Sequence, residues 1–169
     1  MNKTVFEKKP GQNQLHVERV FNAPPELVWK AWTTPELLDR WWAPKPWKTQ
    51  TKFMDFRENG HWLYSMNGPD NEQHWSRADF LKIIDGKMFE SMDTFCDEEG
   101  NKNPGLPSAH WQVRFGKSED STKVNVNIFF QDEEALEKIV EMGFKEGFAA
   151  AHDNLDDVLE EVLTETKNK

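Results

Sequence analysis

The chain has 169 residues, the size of one ordinary domain, and we expect a single hydrophobic core. Its 30 Asp and Glu residues outnumber 21 Lys and Arg residues, which gives a formal net charge of -9. Phosphate backbones and anionic membrane surfaces repel such a chain, so we expect no nucleic acid partner.

The first 14 residues are predicted to form an N-terminal arm. They are polar and contain Pro10-Gly11, a turn pair, which favours a frayed segment or a short extra strand. Residues 15–166 form the predicted single domain.

The domain is predicted to begin with one strand and two short helices. Leu15–Phe21 alternates apolar and polar residues, the pattern of a half-buried strand. Pro24-Pro25 is well tolerated in the first turn of a helix, and Thr34 is an N-cap candidate for a second one.

Six further strands are predicted before residue 130. They lie near Lys48–Asp55, His61–Asn67, His74–Ile84, Lys87–Phe95, Ala109–Gly116 and Thr122–Phe130. Short connections such as Asn59-Gly60 and Asp85-Gly86 have turn chemistry, so neighbouring strands should be antiparallel. Clean alternation in the last two strands indicates that one face of the sheet is wet.

One long helix is predicted from Asp132 to about Thr166. Apolar residues recur there every three or four positions, while Glu, Asp and Lys fill the opposite face, which is typical of a helix laid across a sheet. Gly143 and Gly147 fall in the apolar stripe and point towards the sheet. Their missing side chains either open space for a ligand or let the helix backbone approach a bulky Trp closely.

The strand His74–Ile84 has two possible facings. If Leu81 faces the helix, strict alternation turns Trp75, Arg77 and Asp79 inward and places an ion pair in the interior. A bulge would reverse this facing, with the two charges in solvent.

An aromatic content of 8 Trp and 12 Phe with a single Tyr hints at a pocket with broad apolar walls, although a solid Trp-rich core would have the same composition. The candidate lining residues are Trp42, Trp62, Tyr64, Met66, Trp75, Arg77, Asp79, Trp111, Phe144 and Phe148. No catalytic residue is assigned.

Metal, cofactor and targeting signals are not expected. The five histidines lack the spacings of zinc sites, and no glycine-rich phosphate loop is present. The single Cys96 suits a reducing compartment, and neither a secretory leader nor an apolar run of bilayer length is recognisable. We therefore expect a cytoplasmic protein without membrane insertion.

Two segments carry a resemblance to a known family. Residues 21–42, which read FNAPPELVWKAWTTPELLDRWW, and the MGFKEGF segment at 142–148 are similar to the heat shock protein 90 ATPase activator-homologue-like family of the START and Bet v 1-like superfamily. The resemblance covers roughly residues 15–163. It implies an α+β helix-grip fold, a curved antiparallel sheet of six to seven strands around the long C-terminal helix.

The superfamily implies a cavity for hydrophobic small molecules. We therefore expect binding of a hydrophobic or amphipathic small molecule by a monomer or homodimer. Two alternatives remain open. One is a protein-interaction domain acting on a chaperone, and the other is a cyclase-type or hydrolase-type enzyme using a polar cluster of Arg77, Asp79 and Tyr64.

Overall fold

The computed structural model describes residues 2–9, 11 and 13–167. Of the predicted arm, Met1, Pro10 and Gln12 lie outside this part. In chain order the elements are β1 Val5–Lys9, β2 Gln14–Phe21, α1 Pro25–Thr33, α2 Pro35–Trp41, β3 Lys48–Met54, β4 His61–Asn67, β5 Gln73–Ile84, β6 Met88–Cys96, β7 Ala109–Ser118, β8 Ser121–Phe130, α3 Glu133–Glu141 and α4 Phe144–Lys167.

One antiparallel sheet contains all eight of these strands, in the order β1-β2-β8-β7-β6-β5-β4-β3. The chain leaves β2, passes through α1 and α2, and returns at the opposite edge as β3. β1 brings the number of strands to eight, and it corresponds to the short extra strand considered for the arm. The α+β helix-grip fold is confirmed, with one strand more than the six to seven expected.

The core lies between one face of the sheet and α4. In β2 and β8 every second residue is buried, and all of these except Arg19 and Thr122 are apolar, so the two strands present one largely apolar face. Phe148, Ala151 and Leu155 of α4 are buried at the same interface, at the three- and four-residue spacing of one helix face. We call this face of the sheet the inner face and the opposite one the outer face.

The prediction of a single long C-terminal helix was wrong in one respect, because the structure has two helices in this segment. Gly143 adopts a φ of +91°, a left-handed conformation that ends α3 before α4 begins at Phe144. The apolar stripe continues across the break, which is why periodicity alone could not show it. At its other end, α3 is capped by the Asp132 side chain, which accepts from the Ala135 amide at 2.8 Å.

We expect alanine to have opposite effects at the two glycines of this region. A Cβ at Gly143 would have nothing within 4 Å, so Gly143→Ala strains only the backbone and should lower the free energy of unfolding by about 1 kcal/mol. A Cβ at Gly147, inside α4, would lie 3.7 Å from Pro44 Cγ, an ordinary contact. Gly147→Ala should therefore raise the free energy of unfolding by up to about 1 kcal/mol through helix propensity.

Urea denaturation of the two variants beside the parent protein measures both values. Equal shifts in the same direction would contradict the assignment of Gly143 to a left-handed helix end.

No helix in the described part of the chain combines the length and apolar character needed to cross a membrane.

Candidate functional site

A small cavity lies between the inner face of β4–β7 and the helices. Its volume is about 20 Å³, comparable to the space of one water molecule. Rings form most of its walls, contributed by Trp32, Trp42, Trp62, Phe80, Phe89 and Trp111. Only Trp42, Met54 and Asp93 among the lining residues are more than slightly exposed.

Trp42 is the centre of the aromatic packing. It follows the last residue of α2 and lies 5.3–6.0 Å, between ring centroids, from five other rings. These are the rings of Trp32, Trp41, Trp62, Trp111 and Phe148. Most of these pairs meet edge to face, a favourable arrangement of aromatic quadrupoles. Trp42 therefore joins the helices to the sheet above the cavity.

Tyr64 is the hydrogen-bond partner of Trp42. Its ring stacks on Trp62 with centroids 3.9 Å apart, and its hydroxyl accepts from Trp42 Nε1 at 3.0 Å. Burial, followed by the negative charge of Asp93, raises the pKa of Tyr64 above its ordinary value. The phenol therefore stays protonated and serves as a hydrogen-bonding group near neutral pH.

Asp93 is the charged residue that lines the cavity. Its carboxylate accepts from the Ser91 hydroxyl at 2.6 Å, and no cationic side chain of the described residues forms a salt bridge with it. Burial raises the pKa of Asp93 to about 7, with a further increase from the charge of Asp79 that the Ser91 hydrogen bond opposes. A carboxyl group of this kind can accept a hydrogen bond or exchange a proton near neutral pH.

The structure corrects the placement of three candidate lining residues. Trp75, Arg77 and Asp79 lie on the outer face, because a bulge between Phe80 and Lys82 interrupts the alternation of β5. Ala78 and Phe80 take the inward positions and line the cavity.

On the outer face, the two charges are satisfied locally. Arg77 Nη2 lies 2.5 Å from Asp79 Oδ1, and Arg77 Nη1 donates to the Gly100 carbonyl at 3.0 Å. The ion pair therefore does not face the cavity. Arg77 and Asp79 do not join Tyr64 in the polar cluster that the enzyme alternative requires. The neighbouring Trp75 ring instead receives the Lys52 ammonium, 5.7 Å from its centroid.

The other candidates are on the inner side, at different distances from the cavity. Trp42, Trp62 and Trp111 line it directly. Phe144 and Phe148 of α4 form a stacked pair, 5.3 Å apart, that packs on Trp111 as a second layer. The half-buried Met66 packs against the core without lining the cavity.

The sequence interpretation did not identify Asp93 as a cavity residue. The alternation of Phe89, Ser91 and Asp93 was the available signal, since all three face inward in β6. The signal is weak because Ser91 and Asp93 are polar and do not extend an apolar pattern in β6.

A second polar group that sequence reasoning missed is a buried network between β2 and α4. Arg19 occupies an inward position of β2 with 2% of its surface exposed, and bonds Thr4 Oγ1 at 3.0 Å, Asp153 at 2.9 Å and Asp156. His152 Nδ1 lies 2.8 Å from the same Thr4 hydroxyl. Burial, followed by the charge of Arg19, lowers the pKa of His152 to about 3. The histidine is neutral, and the network is a structural connection.

A larger concavity of about 230 Å³ lies on the surface beside α3. Leu15, Leu136 and Val140 contribute an aliphatic floor, and the rim includes Lys8 and Glu137. Lys8 pairs with Glu133 at 2.9 Å and with Glu137 at 3.8 Å, so two carboxylates compensate its charge. Within the described residues no group of three His, Cys, Asp or Glu side chains could hold a metal ion.

The curved sheet around a long helix, with an aromatic interior, defines a helix-grip domain of the START and Bet v 1-like type. Residues 22–160 match the family described as "Activator of Hsp90 ATPase homolog 1-like protein", and the chain belongs to this family. The resemblance noted in the sequence is confirmed. No curated protein matches the chain.

Solved structures share the fold over nearly the whole chain. The structure of a protein from Arthrobacter aurescens is 30% identical, with a TM-score of 0.87 and coverage of 93% of this chain and 91% of the other. Protein Ms6760 from Mycobacterium smegmatis is 25% identical, with a TM-score of 0.86 and coverage of 93% and 96%. A protein from Staphylococcus epidermidis, 24% identical with a TM-score of 0.82 and coverage of 93% and 94%, is similar in fold.

Proposed function

We propose that the chain binds a small, largely apolar molecule in the interior beneath Trp42. The observation that carries the proposal is the Asp93 carboxyl among aromatic walls. Asp93 is partly exposed, but an ionisable group held among apolar rings without a counter-charge still lowers stability, and an apolar residue would serve better at this position in a core whose only role is packing. A role in ligand binding explains why a destabilising carboxyl group is present among these rings.

The ligand must displace side chains, because ligand pockets of several hundred Å³ are usual and the cavity measures about 20 Å³. Met54 is the natural residue to move. It lines the cavity from the edge strand β3 and is half-buried, and an unbranched thioether side chain repacks easily. We therefore expect binding to be accompanied by movement of Met54 and the neighbouring Trp42.

Filling the cavity tests the proposal. Ala78 is 5% exposed and lines the cavity, so Ala78→Leu places three additional carbons in the space that a ligand needs. We expect saturable quenching of tryptophan fluorescence by apolar aromatic probes such as naphthalene derivatives, weakened at least tenfold in Ala78→Leu.

The matched control is Ala135→Leu, the same change on α3 away from the cavity, which should bind as the parent does. Circular dichroism checks that both variants are folded, since overpacking a core costs about 1–3 kcal/mol. Equal binding by both variants would rule out an interior site. So would the absence of saturable quenching by any of the probes in the parent protein.

Action on an Hsp90-type chaperone is the second candidate, and the family description over residues 22–160 is what favours it. Its test is the ATPase rate of a purified Hsp90 with and without the chain. Stimulation that is unchanged in Ala78→Leu would assign that activity to the surface rather than to the interior.

A further inference from the structure

We infer that the ligand carries an organic ammonium group, and that Asp93 with its tryptophan walls is the subsite that receives it. This inference rests on the proposed interior site and adds the chemical class of the ligand's polar end. Three observations support it: the negative charge of the subsite, its aromatic walls, and the scarcity of hydrogen-bond donors that could bind an anionic ligand.

The charge of the subsite is negative and uncompensated. Among the described residues, the Ser91 hydroxyl is the hydrogen-bond donor to Asp93. Arg77, which adjoins Ala78, the strand partner of Asp93, is held on the outer face by Asp79 and the Gly100 carbonyl. A bound ammonium would supply the counter-charge that the fold omits. Charge-assisted hydrogen bonds of this kind are about twice as strong as neutral ones.

The walls suit a cation rather than an anion. Trp42, Trp62 and Trp111 all line the same small cavity, and the faces of indole rings carry negative electrostatic potential that attracts cations. Tryptophan is the best of the aromatic side chains for this interaction, and enclosed sites strengthen it because water is excluded. Three indoles and one carboxylate that line the same cavity therefore suit a desolvated ammonium group.

Donors for a ligand carboxylate are scarce at this position. The Nε1 atoms of Trp42 and Trp62 donate to Tyr64 and Thr51, respectively, at 3.0 Å. Trp32 Nε1 is buried without a hydrogen-bond partner among the described residues, and Trp111 Nε1 forms no hydrogen bond with them, but neutral donors do not offset repulsion from Asp93. Fatty acids and other apolar carboxylates should therefore bind poorly, although their apolar parts fit the walls.

Three probes of nearly equal shape test the inference: 2-phenylethylamine, 2-phenylethanol and phenylacetate. Their dissociation constants are measured by calorimetry and by tryptophan quenching at about pH 8, where the amine is cationic and Asp93 is ionised. We expect the amine to bind at least tenfold more tightly than the alcohol, and phenylacetate to bind most weakly.

Asp93→Asn keeps the shape of the residue and removes its charge, and we expect the ratio of amine to alcohol affinity to fall to about one. The matched control is Asp79→Asn, which removes a negative charge from the outer face of the same sheet and should retain the ratio. A ratio that falls equally in both variants would assign the preference to net charge and overturn the subsite.

The outcomes separate this inference from the proposed function. If the alcohol binds and is lost in Ala78→Leu, yet the amine shows no preference, the ammonium assignment is wrong and the interior site stands. If phenylacetate binds as well as the amine does, the assignment is likewise wrong. If none of the three probes nor the naphthalene derivatives bind, both fail together.

Discussion

Asp93→Asn should make the protein more stable at pH 8, by about 2 kcal/mol in the free energy of unfolding. The pKa of Asp93 in the folded protein is about 7, raised from its ordinary value by burial. Each pKa unit corresponds to about 1.4 kcal/mol, and solvent that reaches Asp93 reduces the full amount. For a chain of this length, 2 kcal/mol raises the melting temperature by about 4–8 °C.

The pH dependence of this gain has a definite sign. Because folding raises the pKa of Asp93, the folded protein holds this proton more tightly than the unfolded chain does. The contribution to stability is fully present below about pH 4 and is lost as the pH rises to about 7. The difference between Asp93→Asn and the parent protein should therefore be small at pH 4, grow up to pH 7 and stay constant above it.

Thermal and urea unfolding at several pH values between 4 and 8 measure this difference directly. Asp85→Asn, in the exposed turn after β5, is the control and should change stability by less than about 0.5 kcal/mol at every pH. A parent protein as stable at pH 8 as Asp93→Asn would show that the carboxyl is not desolvated. The interior subsite would then lose its main support. Greater stability together with lost binding is the trade that functional residues commonly show.

Alternation and turn chemistry act locally, so they predicted the order of helices and strands, and the resemblance at residues 21–42 and 142–148 supplied the helix-grip arrangement. Two short helices that begin at proline, and strands joined by Asn-Gly and Asp-Gly turns, required no knowledge of tertiary contacts. The inward facing of Trp62 and Trp111 followed from the same period of two residues.

The parts that could not be predicted depend on backbone irregularities and on long-range partners. One extra residue at the bulge near Leu81 reverses the facing of Arg77 and Asp79, and one left-handed glycine divides the C-terminal helix. Neither changes the hydrophobic pattern. Arg19 is buried because carboxylates arrive from α4, 134 and 137 positions away along the chain, which no local pattern encodes.

That buried arginine leads to the second large effect, which concerns its two carboxylate partners. We expect Asp156→Ala to lower the free energy of unfolding by about 2–3 kcal/mol, and Asp153→Ala by less than about 1 kcal/mol. The side chain of Asp156 is 24% exposed and that of Asp153 is 57% exposed, whereas only 1% of the Arg19 side chain is exposed. Water can take the place of Asp153, because that carboxylate is already exposed. It cannot take the place of Asp156, because the guanidinium that Asp156 contacts is buried.

The loss arises because Asp156→Ala leaves the buried guanidinium of Arg19 with the exposed Asp153 as its remaining carboxylate partner. Arg19 Nε already has no hydrogen-bond acceptor among the described residues, so a further unpaired nitrogen adds to a group that burial disfavours. Burial also raises the pKa of Asp156 although Arg19 lowers it, as expected of a partly desolvated carboxylate. The value of Asp156 therefore lies in compensating Arg19.

A double-mutant cycle distinguishes this compensation from simple loss of packing. Arg19→Met keeps apolar volume and removes the charge, so Asp156→Ala made in that background should cost less than about 1 kcal/mol. The coupling energy, about 2 kcal/mol, is measured by urea unfolding of the four proteins at neutral pH, and it should persist in 0.5 M salt because the guanidinium is buried. Equal effects of Asp156→Ala in both backgrounds would mean that Arg19 is stabilised by packing alone. The connection between β2 and α4 would then be apolar in origin.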